Sequence, residues 1–509
     1  MRTKRGNVTA GRDGPDEAGR LSGYVGNQRR TPWGEPQQGA SLTEDRILSF
    51  SPEIAELRFG CGLSPRHAPP RDIDAVLAGL DGPDVMVSRF PVLTWADHTA
   101  RVVRVRELGR QRRKAKSDAV ANALGKKIKA ERLAAGQDMV LGMRQNVVRW
   151  AETETGFRER LVRFWADHFT VVGKSGLSVG AVSTYVDDAI RPHVAGRFED
   201  MLIAAETHPL MLIYLDQHNS VGPDSRYATR RAGKNAPGLN ENLAREVMEL
   251  HTLGVDGPYT QQDVRQMAEL FAGMGITIDS NFVFRPERAE PGVETVLGQG
   301  YGAGGDFDDI LQVLRDLAAH PATARHIARK LAVHFVSDTP DQGLVDHIAA
   351  RFEATGGDLR QVYAAMLEHP AAWASGLGNV KPAFDFLASS GRALGVTADR
   401  LETMPVPRFE VLFRRPQRLM GQTWQKPIGP DGWSEEDAEL AVPQVLAARV
   451  RWAMKAPRQL RPDLPDPRRF VTDALGAQAP EPVVFAARAA ETRTEAIGLV
   501  LCSPAFQRR

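Results

Sequence analysis

The chain has 509 residues, 42% of them hydrophobic, enough for one large core or two or three smaller ones. Its 65 Lys and Arg stand against 63 Asp and Glu, and a net charge of +2 gives no global drive toward a membrane surface or nucleic acid, so no nucleic-acid partner is expected. Two cysteines, Cys61 and Cys502, exclude a disulfide framework and a cysteine metal cluster, and no apolar run approaches the length of a membrane span.

Residues 1–45 are rich in Gly, Arg, Pro and Gln and poor in apolar residues, a composition that predicts a disordered tail. The start is basic but carries no apolar stretch, so no cleaved export signal is visible and a cytoplasmic location is the expectation. The folded part begins near "ILSFSPEIAELRFGCGLSP", and residues 46–509 read as one large, mainly α, multi-helical domain. Within it, residues 100–135 read as a long, solvated, basic helix broken near Gly125. Glu107, Asp118 and Glu131 dilute its charge and no aromatics interleave it, which favours a solvated face over a surface for an anionic partner. From 150 to 400 the periodicity is helical: in "GFRERLVRFWADHF" the apolar residues Phe157, Leu161, Phe164 and Trp165 recur every three or four positions. His-Pro at 208, 320 and 369 punctuates helix boundaries. Strand-like alternation appears only around "ITIDSNFVFRPE", giving at most a short β-hairpin near 276–297. The glycine cluster "LGQGYGAGGDF" reads as a flexible loop. Proline density rises after 400, and "PQVLAARVRWAMK" and "ETRTEAIGLVLCSPAFQRR" read as closing helices.

The stretch "GLNENLAREVMELHTLGV" packs amides and charges beside an apolar stripe. On a wheel of about 100° per residue, Leu243, Val247, Leu250 and Leu253 form the core stripe. Asn242, Glu246 and Glu249 share one flank, while His251 falls on the other and joins them only if the helix ends early or another element brings it round. Arg245 is spaced to pair with Glu241 and Glu249. Gly254 suits a C-cap, and Thr260 with Asp263 makes a capping-box start for the next helix. Carboxylates at the edge of a core need a partner.

His168 lies in the apolar stripe of its own helix, so a buried core histidine is the first reading, with a ligand or proton carrier as the second. The catalytic and metal candidates are therefore the same three residues, His168, Glu246 and Glu249. A divalent metal is the cofactor such a set would hold, although no His-Glu-x-x-His or Glu-x-x-His spacing supports it. Asn219, Ser220, Asn240, Asn242 and Arg245 are the binding candidates, on composition alone. There is no nucleophile elbow and no Walker loop. Two main functional readings follow: a helical binding or assembly protein with a buried polar network around Arg245, Glu246 and Glu249, or a metal-dependent or hydrolase-like enzyme built on His168, Glu246 and Glu249; a third, an anion- or sugar-binding module using Asn219, Ser220 and Asn242, rests on composition alone.

"GLNENLAREVMELHTLGVDGPYTQQDVRQMAE" resembles the central signature of the bacterial family called domain of unknown function 1800. "RFWADHFTV", "HPLMLIYLDQHNSVGPDS", "HPATARHIARKLAVHFVSD", "GGDLRQVYAAMLEHPAAW" and "SPAFQRR" extend the resemblance in order from about Phe50 to Arg509. The resemblance implies a mostly helical domain, a partner of the domain of unknown function 1501 family, and an exported or periplasmic location for many relatives. The chain departs from the family pattern at three places. Ala272, Gly273 and Met274 stand where Thr-Gly-Trp is expected, Ala289 and Glu290 where a His before an acidic residue is expected, and Glu294 where a Lys is expected.

Overall fold

The structure, a computed structural model, describes residues 50–174, 176–231, 238–302, 305–374, 376–477 and 479–509. The tail expected at 1–45 lies outside them. The described residues are mainly helical, as the periodicity indicates. Among them no helix is long and apolar enough to cross a membrane.

Helix α1 (Trp95–Arg113) opens on a capping box formed by Thr94 and Asp97, and α2 (Asp118–Glu152) opens on Ser117, whose side chain accepts from the Val120 N–H. The basic segment thus folds as an antiparallel helical hairpin, with Arg101 and Arg104 of α1 reaching Glu131 of α2 at 3.4 and 3.2 Å. Its break falls at 114–117 and not near Gly125, which lies inside α2. A glycine within a helix costs only about 1 kcal/mol, less than the packing of α1 against α2 returns, whereas Ser117 offers a helix start.

Helix α3 (Gly156–His168) is the seam of the molecule. Phe157, Leu161, Phe164 and Trp165 enter a first apolar cluster that also takes Phe59, Phe335 and Tyr363. A second cluster, around Trp150, Phe384, Phe386, Trp452 and Ile497, lies on the other side. Arg163 of α3 stacks over Phe384 and Trp424 of this second cluster, at 4.7 and 5.2 Å from the ring centres.

Helix α4 (Phe198–Thr207) precedes the polar helix, which begins as α5 (Asn242–Glu246) and continues as a π turn over Val247–His251. Helix α6 (Gln261–Phe271) follows, with Thr260 and Asp263 closing the expected capping box. Gly254 takes φ +89, and a Cβ there would stand 3.0 Å from the His326 ring, so both conformation and space call for glycine.

Two ribbons replace the single hairpin expected near 276–297. Strand β1 (Met274–Ile276) pairs with β2 (Phe282–Phe284), and β3 (Glu294–Val296) with β4 (Gln299–Tyr301), both antiparallel. The connection between β3 and β4 is Leu297–Gly298, both with positive φ, the geometry of a tight hairpin turn. Part of the glycine cluster read as a flexible loop is therefore ordered turn and strand. Helices α7 (Pro321–Phe335) and α8 (Ala383–Ala393) complete the set that frames the site.

Candidate functional site

The π turn decides what the polar helix shows to its neighbours. A π turn closes i to i+5 bonds, here Leu253 N–H to the Met248 carbonyl at 3.0 Å, and so shifts the face by one residue. Met248 and His251 become buried and Leu250 is only half-buried, correcting the stripe drawn for a regular α-helix. His251 swings inward and its Nδ1 meets Glu206 of α4 at 2.8 Å, both side chains almost fully enclosed.

The end of this turn leaves carbonyls without helical partners, and two histidines cap them. The Leu250 carbonyl accepts from His326 Nε2 at 3.0 Å and the His251 carbonyl from His168 Nε2 at 3.2 Å. His168 is 2% exposed and is packed by Phe164, Trp165 and Phe169, as its place in the stripe indicates. Burial holds its ring well below the usual imidazole range, with Lys330 and the neighbouring histidines adding to the effect. The ring is thus neutral, its Nε2 carries the proton, and its Nδ1 lone pair has no partner among the described residues.

Glu246 and Glu249 do not meet His168. Glu246 is half-buried, and burial pushes its carboxyl up, with Glu249 and Asp431 reinforcing the shift and His251 opposing it. Glu249 pairs with Arg245 at 3.1 Å, and Arg245 also reaches Glu241 at 3.4 Å and the Gln261 side-chain oxygen at 2.8 Å. This network lies on the half-exposed outer face, not in the buried position expected for it, because the inserted residue turns the inner face over to Met248 and His251. Among the described residues no three His, Cys, Asp or Glu side chains are grouped to hold a metal ion, so the set His168, Glu246 and Glu249 is not assembled.

The binding candidates are engaged within the fold. Ser220 accepts from the Asn240 backbone at 3.1 Å, and Asn240 donates to the Leu215 carbonyl at 2.8 Å and accepts from the Asn242 N–H at 3.0 Å. These bonds staple the loop before the polar helix to its first turn. Asn219 and Asn242 are exposed beside them.

A different constellation lies across the seam. Between α3, α7 and the segment 420–445 is a cavity of about 710 Å³. Phe164 and Trp433 give it apolar walls, and Asp167, His168, Lys330, Asp431 and Glu435 bring charge or polarity to it. Burial, then the nearby Glu435, raises the Asp167 carboxyl to about 7. Its oxygens accept from the Trp433 N–H at 3.2 and 3.0 Å. Gly432 makes that approach possible: it takes φ +84, and a Cβ there would stand 2.6 Å from an Asp167 oxygen. Lys330 of α7 has no ion pair within 4 Å among the described residues. Burial lowers its ammonium, while Asp167, Glu435 and Asp431 resist the shift from a distance.

The base of the cavity is a closed ring of buried charge. The His334 Nδ1–H donates to Glu435 at 2.5 Å, and its Nε2 accepts from Arg160 at 3.3 Å. Arg160 faces Asp385 of α8 at 3.8 Å, Asp385 pairs with Arg509 at 2.5 Å, and Arg509 returns to Glu435 at 3.0 Å. Burial alone would raise Glu435, but His334 and Arg509 bring it down to about 2, so it stays ionised. Burial lowers His334 to about 4, which keeps the imidazole neutral.

Sequence reading found His168 and passed over Asp167, Lys330, Asp431 and Glu435. Asp167 sits with Arg160 and Arg163 at three- and four-residue spacing on a flank of the α3 stripe, a pattern that reads as the solvent side of an amphipathic helix, so no local signal marked it. A family described as "Protein of unknown function (DUF1800)" matches residues 63–508, a span that includes every residue of the cavity. No curated protein and no solved structure matches the chain.

Proposed function

The chain belongs to the DUF1800 family, and we propose that it is a binding protein for a small polar molecule held in the seam cavity, with Asp167 and Lys330 as the groups that touch it. The observation that carries this reading is Lys330, an ammonium facing a cavity of about 710 Å³ without an ion pair among the described residues. Buried cations are ordinarily paired, and a ligand's oxygen would supply the missing partner. The apolar walls with a few convergent polar groups are those of a small-molecule site.

A second reading, an enzyme using general acid–base chemistry, draws on Asp167. A carboxyl raised to about 7 exchanges its proton near neutrality, and burial lowers the Lys330 ammonium that lines the same cavity. Such a pair serves hydrolase-like chemistry without a metal set of His168, Glu246 and Glu249. A partner of the domain of unknown function 1501 family and an exported location rest on the resemblance alone.

The test is reductive methylation of the folded protein between pH 6 and 9, read lysine by lysine by peptide mass mapping. Lys330 is expected to react at lower pH than the exposed Lys126 and Lys127. A Lys330 that stays unmodified up to pH 9 in folded protein would show that small molecules do not reach the cavity.

A further inference from the structure

Two donors that line the seam cavity stand without acceptors. Lys330 Nζ makes no ion pair and no hydrogen bond among the described residues. Gln422 is the second. It is 6% exposed, and its Oε1 accepts from the Ala383 N–H at 2.7 Å. Because that partner is a donor, the amide oxygen must face it, and the Nε2 group is turned away from Ala383. Nε2 donates no hydrogen bond among the described residues, yet it is not sealed off, so the little surface that Gln422 keeps at the cavity includes unmatched N–H groups.

The charges nearby decide the sign of what completes this pair. The ring at the cavity base is balanced, Arg160 and Arg509 against Asp385 and Glu435, and asks for no outside counter-ion. Asp167 keeps its proton up to about 7, and below that it offers a further O–H donor. Asp431, Glu436 and Glu439 line the cavity but are exposed, so solvent and salt screen them. What is left is one partly buried ammonium, which one negative charge balances. Phe164, Met420, Leu440 and Val445 give the same cavity buried apolar walls.

We propose that the cavity takes an organic monocarboxylate, whose oxygens accept from Lys330 Nζ and Gln422 Nε2 and whose apolar body lies against Phe164, Met420, Leu440 and Val445. A cationic ligand leaves both donors unmatched. A dianion brings one charge more than Lys330 balances and carries it past the three exposed carboxylates. This proposal rests on the reading of the cavity as a small-molecule site and narrows it to a ligand class.

The experiment is isothermal titration calorimetry of the full chain at pH 6 and constant ionic strength, with naphthoate as the probe. Naphthylmethanol, naphthylmethylamine and naphthyl phosphate are controls that keep the ring system and change the head group. Naphthoate is expected to bind once per chain, at least tenfold more tightly than any control. Saturating naphthoate should also slow the methylation of Lys330 and leave that of the exposed Lys126 and Lys127 unchanged, a readout on the natural chain that needs no variant. Lys330→Met is expected to weaken naphthoate binding at least tenfold. Gln422→Glu should do the same: it keeps an acceptor for the Ala383 N–H, at the N-terminus of α8 where a carboxylate stays ionised, but removes the amide donor. Naphthoate binding that survives either variant, or is equalled by the amine or the phosphate ester, would overturn the proposal. Where a variant loses the native melting profile, protection of Lys330 in the natural chain decides, and unprotected Lys330 with naphthoate bound overturns it too. If no naphthoate binds while Lys330 still methylates as expected, the carboxylate selection fails and the cavity reading stands. If Lys330 is also unreactive, both fail.

Discussion

Replacing Asp167 by Asn should stabilise the protein, and by an amount that depends on pH. The carboxyl is raised from 3.8 to about 7. Below pH 3.8 it is protonated in both the folded and the unfolded chain, so it contributes nothing to the pH dependence. Between 3.8 and 7 the unfolded chain releases a proton that the folded chain keeps, and stability falls with rising pH. Above 7 both forms are ionised and the whole penalty is present. At about 1.4 kcal/mol per pH unit of separation, that penalty amounts to about 4 kcal/mol. Asn cannot ionise, yet its side-chain oxygen can still accept from the Trp433 N–H, so the contact that positions the loop is retained. The gain of Asp167→Asn over the natural chain should therefore grow from near zero at pH 4 to about 4 kcal/mol at pH 8. Urea unfolding at pH 4, 6 and 8 measures it. A difference that is constant across that range would refute the reasoning, because it would mean that the Asp167 carboxyl ionises as freely in the folded protein as in the unfolded chain.

Two further outcomes rest on other parts of the fold. Arg191 is buried and reaches Glu159 and Asp84 at 2.7 and 2.8 Å, so Arg191→Met should strand those carboxylates and destabilise by about 3–5 kcal/mol in denaturant titration; a loss under about 1 kcal/mol would show that they find another partner. Burial, then Glu269, raises Glu294 on β3 to about 7, so the fold keeps a proton that the unfolded chain releases near 4.5, and stability falls as pH rises from about 4.5 to 7. Glu294→Gln should be more stable than the natural chain by about 1 kcal/mol above pH 7, the repulsion being partly screened by solvent, with the difference vanishing below pH 4.5. Slower amide exchange across β3 and β4 at pH 8 is the expected readout, and unchanged exchange would count against a raised Glu294 carboxyl.

What could be read from the sequence divides by how local its cause is. Helix starts at Thr260 and the stripe holding His168 depend on residues three or four apart, and both stand in the structure as expected. The π turn at 247–251 depends on how the end of the helix packs on α4 and α7, so a wheel of regular spacing placed Leu250 in the core stripe and His251 on a flank, whereas Leu250 is half-buried and His251 fully buried. Arg160, Arg163 and Asp167 look like the solvent side of an amphipathic helix until the second cluster covers them. The segment 427–439 has no periodicity at all, and its residues converge through contacts with α3, α7 and Arg509, none of which is near it in the chain. The substitution of Met274 for the expected Trp leaves a buried strand residue, and nothing in the structure assigns it a further role.

The ring at the base of the cavity joins positions 160, 334, 385, 435 and 509, so it has consequences for the order in which the molecule is made. Helix α3 and α7 emerge from the ribosome long before the residues that complete their charge balance. Until Arg509 arrives, Asp385 and Glu435 lack the guanidinium that joins them, and bringing them together dry is opposed by their repulsion. Closure of the seam is thereby deferred until residue 509 has been made. The two apolar clusters bury most of their surface through other residues, but the cavity between them acquires its floor only when Arg509 docks.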